Sequence, residues 1–166
     1  MQLNHYTTNF TKRTFPITLI CENVTNAPNI GSLFRIADAF GIEKIVFCGE
    51  HIPLGRKMTK TSRATEKVVK YEVKTEASEV VSDYKKQGYQ IIALEITSES
   101  QSIHSCDFSK EKPIALIIGD ENFGISEAIL KQSDIIIQIE MFGQNSSMNV
   151  VQAANIVLYE MTKQLI

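Results

Sequence analysis

Pro113–Ile118 reads PIALII, an unbroken apolar run that stops at Gly119. Six residues is strand length, and the three isoleucines favour a pleated chain. A strand with one wet face alternates apolar and polar side chains. A run without polar positions is buried on both faces, which is the mark of a mainly parallel sheet covered by helices. Gln90–Ile96 (QIIALEI) reads the same way. Outward from these two runs, strand and helix signals alternate. Ile17–Glu22 (ITLICE) is a strand, followed by the turn-forming TNAPN at 25–29. Asn29 is placed as an N-cap, with Ile30, Leu33, Phe34, Ala37 and Phe40 at helical spacing until Gly41 supplies the stop. Lys44–Cys48 is a second strand and Val68–Val73 a third, and Thr75 caps a helix running to Lys86 with Gly88 beyond it. Ser98–Lys112 reads as an irregular loop. A short helix at Ser126–Gln132, a strand at Ile135–Glu140 and a long helix from Met148 to Leu165 complete the pattern. The expectation is one α/β domain, a mainly parallel sheet flanked by helices.

Composition narrows the function classes. The chain has 166 residues, 43% hydrophobic and 22% charged, with a formal net charge of −2. No apolar run reaches the roughly 20 residues of a membrane span, and the N-terminus lacks the apolar core of a signal peptide. Cys21, Cys48 and Cys106 form no CxxC pair, which favours reduced thiols in a cytoplasmic protein over disulfides or zinc. His5, His51 and His104 are isolated, so no metal site is expected. Charge is unevenly spread. Between Gly55 and Thr75 lie Arg56, Lys57, Lys60, Arg63, Lys67, Lys70 and Lys74 against only Glu66 and Glu72. Such a segment either tracks a phosphate backbone or is simply a solvated, lysine-rich surface.

Familiar nucleotide signatures fail. Gly119 and Gly124 have the spacing of a phosphate-binding loop, but no lysine follows the second glycine. No G-x-G-x-x-G follows the first strand, and no G-x-S-x-G elbow supports a hydrolase. Ligands of parallel sheets bind beyond the carboxyl ends of strands, which directs attention to Asn23–Arg35, Gly119–Gly124 and Met141–Asn149.

Those segments resemble, in order, the three motifs of the SpoU (TrmH-like) RNA 2′-O-methyltransferases of the SPOUT superfamily. Asn29-Ile-Gly31-Ser-Leu-Phe-Arg35 is similar to the first, Ile117-Ile-Gly119-Asp-Glu121-Asn-Phe-Gly124 to the second, and Ile139–Val150 with Ser147, Met148 and Asn149 to the third. Lys60–Tyr71 is similar to the family's basic segment. Glu140 stands where the family has proline, Val151 where serine is common, and Ala64 where glycine is usual.

The resemblance implies a single methyltransferase domain over 1–166, with 1–16 as an extension, a C-terminal trefoil knot and a homodimer. It implies S-adenosyl-L-methionine held by Leu94, Gly119, Ile139, Met141, Ser147 and Met148. Arg35 is expected to hold a phosphate and stabilise charge on the ribose oxygen, with Asn29, Glu121 and Asn149 as the other catalytic positions and Glu121 and Asn149 orienting the arginine or the ribose. About sixteen residues precede the first strand, so RNA is expected to be read by this domain, through Arg56, Lys57, Lys60 and Arg63. The size suggests tRNA over rRNA. The alternatives are an rRNA ribose methyltransferase, a SPOUT enzyme acting on a base nitrogen, and a non-catalytic module binding RNA or cofactor.

Overall fold

The computed structural model describes all residues, Met1–Ile166. Seven strands, β1 (Phe15–Glu22), β2 (Ile42–Cys48), β3 (Tyr71–Lys74), β4 (Gln90–Leu94), β5 (Gln101–Ser102), β6 (Ile114–Gly119) and β7 (Ile135–Gln138), form one sheet in the order β3-β2-β1-β6-β4-β7-β5. Every pairing in it is parallel. The two most apolar runs, β6 and β4, are neighbours in its middle, and β6 residues 114–118 are all buried. There are five helices, α1 (Ala27–Ala39), α2 (Arg56–Ser62), α3 (Ala77–Lys86), α4 (Glu127–Leu130) and α5 (Val150–Leu165); α2 packs on α1 and the others flank the sheet. Alternate strand residues serve opposite faces. Leu19, Phe47, Leu116 and Ile92 pack with Ile30, Phe34, Ala154 and Leu158 of α1 and α5. Ile20, Val46, Ile117 and Ile91 pack with Val80, Val81 and Ile129 of α3 and α4. No helix is long and apolar enough to cross a membrane.

Several boundaries differ from the sequence reading. The cap of α1 is Asn26, whose side chain accepts from the Asn29 amide at 3.0 Å. Pro28 lacks an N–H and so fits the first turn, which places Asn29 inside the helix with its side chain free for other work. α3 begins after Glu76 because β3 runs on to Lys74, so Thr75 caps nothing. β3 starts at Tyr71 rather than Val68, preceded by a 3-10 turn over Thr65–Lys67. β4 stops at Leu94, short of Ile96, and β7 at Gln138, short of Glu140. α4 is limited to Glu127–Leu130 and α5 starts at Val150, one residue after its cap Asn149. The loop 98–112 contains β5 and a 3-10 turn at Ile103–Ser105. The basic segment contains α2, which the sequence reading did not place.

The crossing of α1 and α2 explains Gly31. A Cβ there would lie 2.0 Å from Thr61 Oγ1 and 2.2 Å from the Met58 carbonyl oxygen. The Thr61 hydroxyl completes the joint by donating to the Pro28 carbonyl at 2.8 Å. Beyond α2, Arg63 and Ala64 are left-handed, at φ 55° and 68°. At the second of these the resembled family has glycine. An L-residue there costs roughly 1–2 kcal/mol.

Candidate active site

Three loops meet at the carboxyl edge of the sheet. Asn29 comes from the first turn of α1, Glu121 from the turn after β6, and Asn149 from the cap of α5. Asn29 Nδ2 donates to Glu121 Oε1 at 2.7 Å. Asn149 Nδ2 donates to the same oxygen at 3.3 Å and to Asn29 Oδ1 at 3.2 Å. Asn149 Oδ1 meanwhile accepts from the Val151 and Gln152 amides, at 2.8 and 3.3 Å, and so anchors α5 to the cluster. Glu121 Oε2 has no partner within the chain.

The turn that presents Glu121 is held tightly. The Gly124 amide donates to the Asp120 carbonyl at 2.8 Å, and Asp120 Oδ1 accepts from the amides of Asn122 and Phe123. Gly124 sits at φ 66°, where side chains are strained. A Cβ on Gly119 would lie 2.4 Å from the Gly124 carbonyl carbon, so the two glycines let opposite sides of the turn touch.

Beside the cluster is a cleft of about 1040 Å³. Leu94, Gly119, Ile139, Met141, Ser147 and Met148 all line it, as do Glu121 and Asn149. Its walls mix apolar side chains such as Leu94, Ile139, Met141 and Met148 with polar ones such as Thr97, Gln138, Asn145 and Ser147. Its charged lining is Glu95, Asp120 and Glu121, with no cationic side chain. Such a cleft repels a polyphosphate and suits a ligand with an apolar ring and a positive charge. S-adenosylmethionine, a sulfonium carrying an adenine, meets that description. The thiols take no part, because all three are buried. Burial, with the Glu22 carboxylate nearby, pushes Cys48 up to about 12, and burial likewise raises Cys21 and Cys106, so none is a nucleophile at neutral pH.

The other expected site residues lie apart. Arg35 is exposed on α1, six residues and about 9 Å of helix rise beyond Asn29. It makes no hydrogen bond or ion pair, so Glu121 and Asn149 engage Asn29 and not the arginine in this chain. Arg56, Lys57, Lys60 and Arg63 are exposed on and just after α2, which the Gly31 joint holds against α1. Glu66 braces that segment. A hydrogen bond from the Ser62 hydroxyl holds its carboxyl below the usual range.

Two residues escaped the sequence reading. Glu95 lines the cleft and accepts the Ile125 amide, and the buried Glu22 accepts the Ser126 amide. The signal was available. Each is the first charged residue after an apolar strand run.

Comparison with known proteins agrees with this geometry. The family model described as the SpoU rRNA Methylase family matches residues 16–159. A tRNA (guanosine(18)-2′-O)-methyltransferase of Aquifex aeolicus is 30% identical over 92% of this chain and 72% of its own length. The crystal structure of the A. aeolicus TrmH/SpoU tRNA modifying enzyme superposes with a TM-score of 0.83 at 28% identity, covering 92% of this chain and 77% of that one. The SpoU methyltransferase AviRb of Streptomyces viridochromogenes, crystallised with AdoMet, gives 0.78 at 25% identity, over 93% of this chain and 62% of that one. With three motif segments converging on one cluster and a family match running from β1 to α5, the chain belongs to the SpoU methylase family.

Proposed function

We infer that this protein is an S-adenosylmethionine-dependent RNA methyltransferase acting on a ribose 2′-hydroxyl. The observation that carries the reading is the Asn29–Glu121–Asn149 cluster, closed by hydrogen bonds across all three motif segments at the mouth of a cleft without cations. Leu94, Gly119, Ile139, Met141, Ser147 and Met148 hold the cofactor, main-chain groups reading the adenine edge and apolar side chains covering its faces. When bound, S-adenosylmethionine supplies an electrophilic methyl group.

The chain's own residues position the other reactant. Arg35 is a permanent cation and so no general base. Its planar fork holds an RNA phosphate in a bidentate grip and stabilises negative charge as it develops on the ribose oxygen. Glu121 Oε2, free of partners, accepts a hydrogen bond from the ribose hydroxyl, turns it toward the cleft and takes the proton that the hydroxyl loses on methylation. Asn29 and Asn149 fix that carboxylate in place. Orientation of this kind lowers a barrier by several kcal/mol, up to about 7–11 in the best cases.

The basic helix α2 with Arg63 tracks the RNA backbone, at Arg56, Lys57, Lys60 and Arg63. Transfer RNA is the favoured substrate, on the tRNA (guanosine(18)-2′-O)-methyltransferases among its relatives. The whole of 1–166 acts as one methyltransferase domain in the cytoplasm, with 1–16 as an extension. Two further features complete the reading. A trefoil knot in the C-terminal part is supported by the strand order, in which β6 enters between β1 and β4 and β7 lies beyond β4. A homodimer is supported by Ile156 and Tyr159, exposed along α5 beside Phe40. Mapping ribose methylations in total RNA with and without the gene tests the reaction and names the substrate. Loss of one 2′-O-methyl mark is expected; an unchanged ribose profile contradicts the reading.

A further inference from the structure

The sheet order places β6 between β1 and β4, so the turn after β6 is flanked by the ends of two neighbouring strands. Each of those strands delivers a carboxylate to it. Glu22, the last residue of β1 and opposite Gly119 in register, accepts the Ser126 amide on Oε2 at 2.8 Å. Glu95, the residue after β4, accepts the Ile125 amide on Oε2 at 3.0 Å and the Ile96 amide on Oε1 at 2.9 Å. The Glu95 backbone is itself pinned, its amide donating to the Ile137 carbonyl at 3.0 Å. Two consecutive amides just past the Glu121 turn are therefore gripped from opposite sides by charged acceptors.

Gly124 shows how close the grip is. A Cβ on it would lie 2.3 Å from Glu95 Oε2, while a Cβ on Gly119 would lie 2.7 Å from the Ile125 nitrogen. The Gly124–Ile125 peptide is thus sandwiched between the β6 terminus and the Glu95 carboxylate. The second glycine of the motif is needed for that contact as well as for its φ of 66°.

We propose that Glu95 and Glu22 are positioning residues, a pair of carboxylate clamps that hold the Gly119–Gly124 turn as cleft wall and set Glu121 against Asn29 and Asn149. Neither needs to touch the methyl group or the RNA. Hydrogen bonds to ionised acceptors are the strong ones. Glu95, which also lines the cleft, couples the clamp to the cofactor. The cofactor part of the proposal rests on the methyltransferase reading, and the clamp itself does not.

The test compares Glu95→Ala, Glu95→Gln and Glu22→Gln with an exposed control, Glu99→Ala. Amide exchange is followed residue by residue in ligand-free protein, and S-adenosylmethionine affinity by calorimetry. Glu95→Ala should speed exchange at Ile125 by at least about tenfold, leave Leu116 within β6 unchanged, and weaken cofactor binding about tenfold. Glu95→Gln keeps one acceptor oxygen for two amides and should fall between wild type and alanine on both measures. If the alanine variant does not fold, this variant decides. Glu22→Gln should speed exchange at Ser126 selectively, and Glu99→Ala should match wild type. Unchanged exchange at Ile125 and Ser126 overturns the clamp. Faster exchange with cofactor affinity within about twofold of wild type overturns its link to the cleft. Absence of cofactor binding by the wild-type protein instead overturns the methyltransferase reading, while the exchange rates still decide the clamp.

Discussion

Asn29 and Arg35 stand on the same helix and differ in almost everything else. Asn29 is half-buried and bonded to Glu121 and Asn149, with its own amide donating to the Asn26 side chain. Arg35 is exposed and bonded to nothing. The site divides into a half that one chain assembles by itself through its own hydrogen bonds and a half that presents cations without partners. A half that is already bonded loses little entropy when it binds its ligand. A half of free, long side chains gains its order from the phosphates it meets.

The sharpest way to break this division is Arg35→Ala. Turnover should fall by about 10²–10³ or more, with S-adenosylmethionine affinity within a few-fold of wild type. A matching loss of cofactor affinity would place Arg35 in the other half. Next in size is the basic helix. Reversing Lys57, Lys60 and Arg63 together should weaken RNA binding and lower the slope of log affinity against log salt by about 3, leaving cofactor affinity alone. An unchanged slope would make the patch a bystander.

Smaller effects sharpen the preassembled half. Asn149→Ala removes a cap from α5 and two bonds from the cluster, and should cost about 1 kcal/mol of stability by denaturant titration. Turnover should fall further than that stability loss explains. In the basic segment just after α2, Ala64→Gly relieves the left-handed strain at φ 68° and should stabilise the fold by about 1 kcal/mol. A destabilised glycine variant would show that the alanine methyl has a packing role.

The same division marks what the sequence made legible. β6 and β4 announced themselves because burial on both faces leaves no polar position to blur the run. Leu94, Gly119, Ile139, Met141, Ser147 and Met148 were readable through motif resemblance, and they do line one cleft. The meeting of Asn29 with Glu121 and Asn149, 92 and 120 residues away, was reachable through that resemblance and not through spacing. α2 stayed hidden because RKMTKTS carries little apolar period. Met58 and Ser62 are its buried residues, and its place is set by the Gly31 contact with α1. Asn26 and Asn29 were equally good caps by residue type. Pro28 settles the matter, since the helix must start early enough to absorb it. Glu22 and Glu95 could not be paired without the strand order, because nothing in the linear chain says that β6 lies between β1 and β4.

On the reading above, this cleft delivers a methyl group to a ribose oxygen of RNA. Purified protein incubated with methyl-labelled S-adenosylmethionine and bulk tRNA, followed by digestion to nucleosides, reads it directly. The label should appear in a single 2′-O-methylnucleoside. Label on a base nitrogen, or no transfer to tRNA or rRNA at saturating cofactor, would contradict the account.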